Sequence, residues 1–390
     1  PPDVRARRCK AVNTPGMSIP ECYVPSRYRH SMRFAVIMAG GSGTRLWPLS
    51  RKGTPKQLLR LIDGTSLLRI AFERLGDLVP AERVLVCTGA AYADQVAAEL
   101  PEVPVENILG EPEGRDSLNA VAWPAAVIAE RDPDAVIAQV TADQLIEPAA
   151  VFTASLAEAY AVAEADPLAL VTLGVVPTSA HTGYGYLHRG GAVPGFEHTH
   201  RVLEFREKPD LVTASEYLAS GEYWWNAGMF VWQARTFLEQ LAALHPASHA
   251  AVVELAAHPE RLAEIFPTLH KTSVDYGVME PVSAGAGTAH VVSVALPVQW
   301  RDVGGYASLA ETLAHDAAGN ALIGASVRLD AADNVIINTA GHDHLVGILG
   351  CSGMVVVTTP TVTMVAPVDA AERVRELVAL VRAEAGERYV

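Results

Sequence analysis

The chain has 390 residues, of which 50% are hydrophobic, and it carries a formal net charge of −14. This length and composition suffice for a large core and a smaller second domain. The acidic balance argues against the sequence-independent phosphate contacts of nucleic-acid-binding proteins, and no apolar run approaches the roughly 20 residues of a membrane-spanning helix, so neither nucleic acid nor a membrane is expected as a partner.

Residues 1–31 are predicted to be a disordered extension. They contain several arginines and prolines, show no hydrophobic period and precede Met32, which would serve as a native start. They also lack the apolar stretch of a secretory signal peptide. The four cysteines of the chain are widely scattered without C-x-x-C spacing, which is typical of a protein of the reducing cytosol. A cytoplasmic protein is therefore expected.

From residue 33, short apolar runs alternate with longer amphipathic ones, which is typical of βαβ units. Strands are predicted over 33–40, 83–88, 135–141 and 168–175, and helices over 65–78, 90–100 and 153–164. Thr65 is expected to cap the first helix, with Leu68, Phe72 and Leu75 on one face. Because several strands are apolar on both faces, residues 32–316 are predicted to form a doubly wound, mostly parallel, Rossmann-like α/β domain.

Beyond residue 316 the pattern changes to short strands separated by Gly, Asp and Asn. Strands are predicted over 324–329, 334–338, 345–349 and 354–358. A final helix is predicted over 371–385, with Val374, Leu377, Val378 and Val381 on one stripe. Residues 317–390 are therefore expected to be a small β-rich domain ending in a helix.

The most informative motif is a glycine-rich turn after the first strand, from Ala39 to Arg45, followed by Pro55-Lys56-Gln57. Its glycines allow backbone N–H groups to approach an anion, while Arg45 and Lys56 supply charge for phosphate oxygens. The run fits neither the P-loop nor the dinucleotide-binding fingerprint, since Leu46 stands where the latter needs a third glycine. For the glycines alone, a tight turn without catalytic meaning is the alternative.

This run resembles the G-G-x-G-T-R-L…P-K signature of sugar-1-phosphate nucleotidyltransferases, in the form typical of bacterial mannose-1-phosphate guanylyltransferases. The resemblance implies that Arg45 and Lys56 are catalytic cations that neutralise a nucleoside triphosphate. It also implies that the β-rich tail is a partial left-handed β-helix. The backbone that would cradle the nucleotide consists of Ala39, Gly40, Gly41, Ser42, Gly43 and Thr44.

Two carboxylates are candidates for a Mg²⁺ site. Asp143 follows a predicted strand, where a carboxylate can hold a metal that bridges phosphate oxygens. The family has P-A-D-H here, so Thr141 and Gln144 depart from its pattern. Asp302 lies in a W-x-D-V-G match, and the resemblance implies that it completes the metal site. From position alone, a turn or capping role remains the alternative for both.

The sugar-phosphate half of the site is expected from three further motif matches. Glu207 and Lys208 lie in an E-K-P motif; in relatives the lysine meets the sugar phosphate and the glutamate meets sugar hydroxyls. Asn226, in W-N-[SA]-G-M-F, offers a donor and an acceptor to the sugar, and Gly185, in G-Y-G-Y, would allow close approach of the hexose. An ordinary solvated Glu-Lys pair is the alternative for the first motif.

Base recognition is expected at Glu111, Asp116 and Ser117, in a stretch where relatives read E-P-x-x-R-N-T. Asp116 replaces an amide by a carboxylate, which can still accept from guanine N1 and N2. Guanine is therefore favoured. His198/His200 and His342/His344 could suggest zinc, but no matching ligand spacing follows, so solvated loop histidines are favoured.

The motifs together predict transfer of GMP from GTP to mannose 1-phosphate, giving GDP-mannose and pyrophosphate by Mg²⁺-dependent in-line attack. Two alternatives remain: another pair of nucleoside triphosphate and sugar 1-phosphate, or a non-catalytic regulatory paralogue that binds sugar nucleotide. Retention of all five charged groups, at Arg45, Lys56, Asp143, Lys208 and Asp302, speaks against the paralogue. Whether the chain forms a homodimer is left open by the sequence.

Overall fold

The computed structural model describes residues 32–41, 43–62 and 64–390. The extension predicted over residues 1–31, and Ser42 of the glycine turn, lie outside the described residues. Met32–Val390 forms one unit, and the boundary expected near residue 316 stays a prediction.

A nine-stranded sheet organises the larger part of the chain, in the spatial order β3-β2-β1-β4-β9-β6-β10-β8-β7. Seven of these strands run in one direction, and only β8 and β9 oppose them. Two further strands, β5 and β11, form a small antiparallel sheet. The strands up to this point are β1 Arg33–Ala39, β2 Val84–Gly89, β3 Ile108–Glu111, β4 Val136–Thr141, β5 Gln144–Glu147, β6 Ala169–Val175, β7 Tyr186–Ala192, β8 Thr199–Arg206, β9 Tyr223–Gln233, β10 His290–Ala295 and β11 Gln299–Asp302.

Helices cover both faces of the nine-stranded sheet. Alternate residues of β1 separate into two cores: Ala35 and Ile37 pack with one cluster, while Phe34 and Val36 pack with the other. This explains why the strand is apolar on both faces, and it confirms the predicted doubly wound α/β fold. The helices are α1 Leu67–Glu73, α2 Ala93–Glu99, α3 Asp116–Arg131, α4 Ala149–Ala165, α5 Leu211–Ser220, α6 Ala234–Leu244, α7 Pro246–Ala257, α8 Leu262–Ile265, α9 Glu280–Ser283, α10 Tyr306–Ala310 and α11 Val374–Glu384.

The first helix begins later than the sequence predicted. Ser66, rather than Thr65, is the N-cap, because its Oγ accepts a hydrogen bond from the backbone N–H of Arg69 at 3.0 Å. The predicted apolar face is present, with Leu68 and Leu75 buried and Phe72 packed against the same core.

The C-terminal region is built from short strands stacked in parallel. β12, β14 and β16 pair in parallel, as do β13 and β15, and only β17 is antiparallel to its neighbour. Buried asparagines connect successive layers, since the side-chain amide of Asn334 donates to Asn320 Oδ1 at 2.8 Å. These strands are β12 Ala321–Ile323, β13 Ser326–Leu329, β14 Val335–Asn338, β15 Val346–Leu349, β16 Met354–Thr358 and β17 Thr363–Pro367.

The apolar stripe predicted for the last helix is only partly buried. Val374 and Val378 enter a core that also contains Leu46 and Trp47 from the segment after β1. Leu377, expected on the same stripe, is 38% exposed. The two buried residues are one turn apart, so the buried face of the helix is narrower than the predicted stripe.

None of the helices in the described part of the chain is long and apolar enough to cross a membrane.

Candidate active site

The ends of adjacent parallel strands bring the first group of candidate residues together. β1 and β4 pair in parallel with Met38 opposite Thr141, so the glycine turn and Asp143 emerge at the same edge of the sheet. Glu111, the last residue of β3, reaches this edge as well. Local sequence determines where each strand ends, and sheet order then makes these ends neighbours.

The glycine turn is shaped around Lys56. Gly43 has φ 61°, and a Cβ at this position would lie 2.6 Å from Lys56 Cβ. Glycine is therefore required both by the left-handed backbone and by the close approach of Lys56. The buried side-chain amide of Gln57 donates to the carbonyls of Ala39 and Gly40, which holds the start of the turn in place.

Lys56, Asp143 and Asp302 form a charged cluster beside this turn. Lys56 Nζ donates to Asp143 Oδ2 at 2.8 Å and to the carbonyl of Val303 at 2.9 Å. Asp302 arrives through the small sheet, where it pairs with Gln144, the residue after Asp143. Burial, together with the charge of Asp143, raises the pKa of Asp302 to about 6, against the opposing effects of Lys56 and Arg45.

Gln144, where the family pattern has His, lies next to this cluster and forms two side-chain hydrogen bonds. Its side-chain amide donates to the carbonyl of Ala227 at 2.9 Å, and its oxygen accepts from the indole N–H of Trp300 at 3.0 Å. Both bonds connect the start of β5, directly after Asp143, to neighbouring strands. Although Gln144 departs from the family pattern, both its amide nitrogen and its oxygen have a hydrogen-bond partner in the buried site.

Two cavities share a wall at this cluster. The first, about 320 Å³, is lined by the glycine turn and by Lys56 and Asp143. The second, about 510 Å³, contains Lys208. Arg45, Asp302 and Gly304 line both. A larger cavity of about 840 Å³ lies elsewhere, and Glu147 is the only charged residue among its described wall residues, so it lacks the cations that phosphates require.

The second cavity has an aromatic wall. Tyr184 packs edge-on against Trp225 and Trp300, with ring centroids 5.2 and 4.8 Å apart. Trp224 and Trp232 are buried in the core of the sheet. The tryptophans therefore contribute to the core and to the cavity wall. Such a wall suits the apolar face of a hexose ring.

Lys208 lines this cavity, and Glu207, Asn226 and Gly185 form a group beside it. Lys208 Nζ lies 3.0 Å from Glu207 Oε1, and the backbone N–H of Asn226 donates to the carbonyl of Gly185 at 2.8 Å. A Cβ at Gly185 would lie 2.5 Å from Glu207 Oε2. The glycine therefore makes room for the glutamate of its own site, whereas the sequence suggested room for the sugar.

Asp275, which sequence reasoning missed, completes this group. It begins a π-helical turn, Asp275–Met279, and its Oδ1 accepts from the side-chain amide of Asn226 at 2.9 Å. Burial, reinforced by the charge of Glu207, raises its pKa to about 7. A lone Asp before Tyr-Gly carries no local signal for such a role, since only the packing brings it to Asn226.

The backbone and charge of Lys208 are both constrained. Its φ of 45° is unusual for a residue with a side chain. Burial lowers the pKa of Lys208, but the hydrogen bond and charge of Glu207 outweigh it, so the pKa lies above its ordinary value. A lysine with a raised pKa and a left-handed backbone, at a cavity wall, suits binding of an anion.

The three residues expected to recognise the base have different environments. Glu111 is buried beside the glycine turn, since a Cβ at Gly40 would lie 3.8 Å from its Oε2. Asp116 is exposed at the start of α3, with φ 66°. The Ser117 hydroxyl accepts from the backbone N–H of Val274 at 3.0 Å, which attaches α3 to a neighbouring loop.

The histidine pairs have different surroundings. His342 and His344 lie exposed in a loop, as expected. His200 does not, because it lies within β8, half-buried, with its ring edge-on to Trp224 at 5.2 Å. Its interpretation as a solvated loop residue was wrong.

Replacing Glu111 by Gln is expected to remove a pH-dependent loss of stability. Burial raises the pKa of Glu111 from 4.5 to about 7. The stability contributed by its protonated form is therefore fully present below pH 4.5 and lost as the pH rises through 7, by up to about 3 kcal/mol. Thermal unfolding should give E111Q a Tm close to that of the wild type at pH 5 and a higher Tm than the wild type at pH 8.

A control variant, Glu106→Gln, changes an exposed residue just before β3. Equal pH dependence of E111Q and the wild type would contradict this account.

A doubly wound sheet whose strand ends hold a glycine turn, two carboxylates and two cavities with lysine and arginine in their walls defines an enzyme of nucleotidyl transfer. Comparison with known families agrees. The nucleotidyl transferase family model matches residues 34–319, and a model described as MannoseP isomerase/GMP-like beta-helix domain matches residues 324–380. The chain belongs to the nucleotidyl transferase family.

Within that family, the chain belongs with the mannose-1-phosphate guanylyltransferases. It is 36% identical over 370 residues to a mannose-1-phosphate guanylyltransferase of Escherichia coli, covering 92% of this chain and 76% of the relative. A relative with the same name from Klebsiella pneumoniae is also 36% identical over 370 residues, with the same coverage of both chains. The family resemblance seen in the motifs is thereby confirmed.

One solved structure shares nearly the whole fold, and a second shares part of it. A crystal structure named mannose-1-phosphate geranyltransferase, from Thermus thermophilus, is 34% identical, with a TM-score of 0.79. The match covers 90% of this chain and 99% of that one. A Helicobacter pylori structure named mannose-6-phosphate isomerase has a TM-score of 0.55 at 23% identity, covers 70% of this chain and 100% of that one, and is similar in fold alone.

Proposed function

We propose that this protein transfers GMP from GTP to mannose 1-phosphate, forming GDP-mannose and pyrophosphate in the cytoplasm. The observation that carries the proposal is the shared wall of the two cavities, where Arg45 and Asp302 face both the glycine turn and the Lys208 group. Family members use a nucleoside triphosphate and a sugar 1-phosphate. The names of the similar proteins supply mannose and guanine.

The reaction needs positioning and charge more than covalent chemistry. A phosphate oxygen of mannose 1-phosphate attacks the α-phosphorus of GTP, and the bond from that phosphorus to the bridging oxygen of the β-phosphate breaks, so pyrophosphate leaves. Lys208 orients the attacking phosphate from one cavity. Lys56 and the glycine turn hold the triphosphate in the other, and Arg45 stabilises charge at the wall between them.

Asp143 and Asp302 are the residues that would hold Mg²⁺. They fit a hard cation because both are carboxylates at one site, and the pKa of Asp302 lies above its ordinary value through burial and the charge of Asp143, so a cation would relieve their repulsion. Among the described residues no group of three such ligands occurs. Phosphate oxygens and water would therefore complete the coordination, and the ion would neutralise charge on the triphosphate. Enzymes of the family generally use a divalent metal.

Sugar recognition is assigned to Glu207 and Asn226. The Glu207 carboxylate accepts from sugar hydroxyls while its own bond to Lys208 keeps it aligned. The Asn226 oxygen already accepts from the Thr172 hydroxyl at 2.8 Å, and its amide is held by Asp275. The orientation of this amide is therefore fixed before the sugar arrives, which reduces the entropy lost on binding.

Another nucleoside triphosphate is the second candidate, because Asp116 replaces the Asn of the family pattern and is exposed. A pyrophosphate-release assay across GTP, ATP, UTP and dTTP, each with mannose 1-phosphate and glucose 1-phosphate, distinguishes the candidates. We expect GTP with mannose 1-phosphate to give the highest kcat/KM and to require Mg²⁺. Faster release with another triphosphate would overturn the guanylyl assignment, and no release with any pair would favour a non-catalytic binding protein.

A further inference from the structure

The wall of the glycine-turn cavity contains one residue from the C-terminal region. Among its described wall residues, all others lie between Gly40 and Gly304, but Arg375 comes from α11. None of the sequence motifs includes this arginine. Its place in the wall depends on how the C-terminal helix packs.

Packing against the segment after β1 holds Arg375 at the cavity. α11 lies against the short helical turn Thr44–Leu46 that continues the glycine turn. Val374 and Val378, which flank Arg375 on the helix, are buried in the same core as Leu46. The anchored face of the helix therefore directs the adjacent position, Arg375, to the edge of the cavity.

A second anchor lies just beyond the helix. The indole N–H of Trp47 donates to the carbonyl of Tyr389 at 2.6 Å, and the backbone N–H of Lys52 donates to the carbonyl of Val390 at 3.3 Å. The chain segment on either side of Arg375 is thus attached to the loop that follows the glycine turn. These contacts fix the backbone position from which the Arg375 side chain extends to the cavity wall.

No carboxylate in the described part of the chain pairs with the charge of Arg375. On the same helical segment, Arg373 pairs with Glu376 at 2.9 Å and Arg382 pairs with Glu387 at 2.7 Å. Arg375 forms no ion pair with any described residue. With Arg45 and Lys56 it gives the cavity three cations against the two carboxylates, Asp143 and Asp302. An anion is the ligand that offsets such an excess of positive charge.

We propose that Arg375 binds the β- and γ-phosphates of the nucleotide and retains contact with them as pyrophosphate. This inference rests on the proposed function. Arg375 lines the cavity of the glycine turn and is not part of the described wall of the Lys208 cavity, so it meets the triphosphate and not the sugar phosphate. The planar guanidinium suits two phosphate oxygens at once. The C-terminal region thereby contributes directly to nucleotide binding.

The test compares Arg375→Gln and Arg375→Lys with Arg373→Gln, a matched charge removal on the same helical segment outside the cavity. Calorimetry would measure binding of GTP, GMP and pyrophosphate, and steady-state kinetics would give both KM values. R375Q should lower the affinity for GTP and for pyrophosphate roughly 5- to 20-fold. The loss is modest because solvent partly screens a charge-assisted bond at a partly exposed site. GMP affinity and the KM for mannose 1-phosphate should not change. R375K should recover part of the loss, and R373Q should match the wild type.

Unchanged GTP and pyrophosphate binding in R375Q, beside a normally active wild type, would overturn this inference alone. Equal weakening of GMP and pyrophosphate would also overturn it, because damage to the fold would not distinguish the two ligands. A wild type that neither binds GTP nor releases pyrophosphate would instead refute the proposed function. If R375Q failed to fold, R375K would decide, because a lysine keeps the charge but lacks the planar fork of the guanidinium. A loss of pyrophosphate affinity in R375K that exceeds any loss of GMP affinity supports the contact, and unchanged or equally weakened binding of the two ligands excludes it.

Discussion

Replacing Asp143 or Asp302 by Asn is expected to lower kcat at least about 100-fold, since loss of even outer partners of a metal ligand costs roughly 10- to 100-fold. The small sheet places Asp302 opposite the residue after Asp143, and we expect both carboxylates to serve one site. The double variant should be little slower than the slower single variant, because the first substitution already removes the shared site. Pyrophosphate release with Mg²⁺ and Mn²⁺ titrations measures this.

Asp94→Asn, an identical change at an exposed position on α2, serves as the control and should keep wild-type activity. Thermal unfolding of all variants separates loss of chemistry from loss of fold. Electron paramagnetic resonance of Mn²⁺ with GTP gives a reading independent of turnover. Fully multiplicative losses in the double variant, or normal Mn²⁺ binding in a single variant, would mean that the two aspartates do not share a metal.

Replacing Lys208 by Ala is expected to raise the KM for mannose 1-phosphate roughly 10- to 150-fold, the range for loss of a charge-assisted hydrogen bond. GTP affinity should stay unchanged, because Lys208 lines only the second of the two cavities in the described part of the chain. Arg45→Ala should weaken binding of both GTP and mannose 1-phosphate, since Arg45 lines both cavities. Calorimetric titration with GTP and steady-state kinetics for the sugar phosphate distinguish the two variants.

Lys52→Ala is the matched control, because Lys52 is exposed and lies in neither cavity wall. K208A leaves the buried carboxyl of Glu207 without its cation. The pKa of Glu207, already raised by burial, should then rise further, and the group can stay neutral and the protein folded. A loss of GTP affinity in K208A as large as the loss for mannose 1-phosphate would refute the separation of the two anion sites.

The sequence alone determined the fold class and most of the proposed chemistry. The alternation of apolar runs requires a sheet covered on both faces, because β1 is buried on both sides. Charged residues after strand ends are local signals, since a strand end is set by a few neighbouring residues. Arg45, Lys56 and Asp143 could therefore be proposed from their immediate surroundings, with the family motif supplying their roles.

Which residues meet was decided only by the tertiary structure. Asp302 reaches Asp143 through the pairing of two short strands, β5 and β11. Asp275 reaches Asn226, and Arg375 reaches the glycine-turn cavity, through packing of elements far apart in the chain. Gly185 makes room for Glu207. Each of these contacts depends on burial of whole faces and on the order of strands in a sheet, so no spacing within a local window of sequence could specify them.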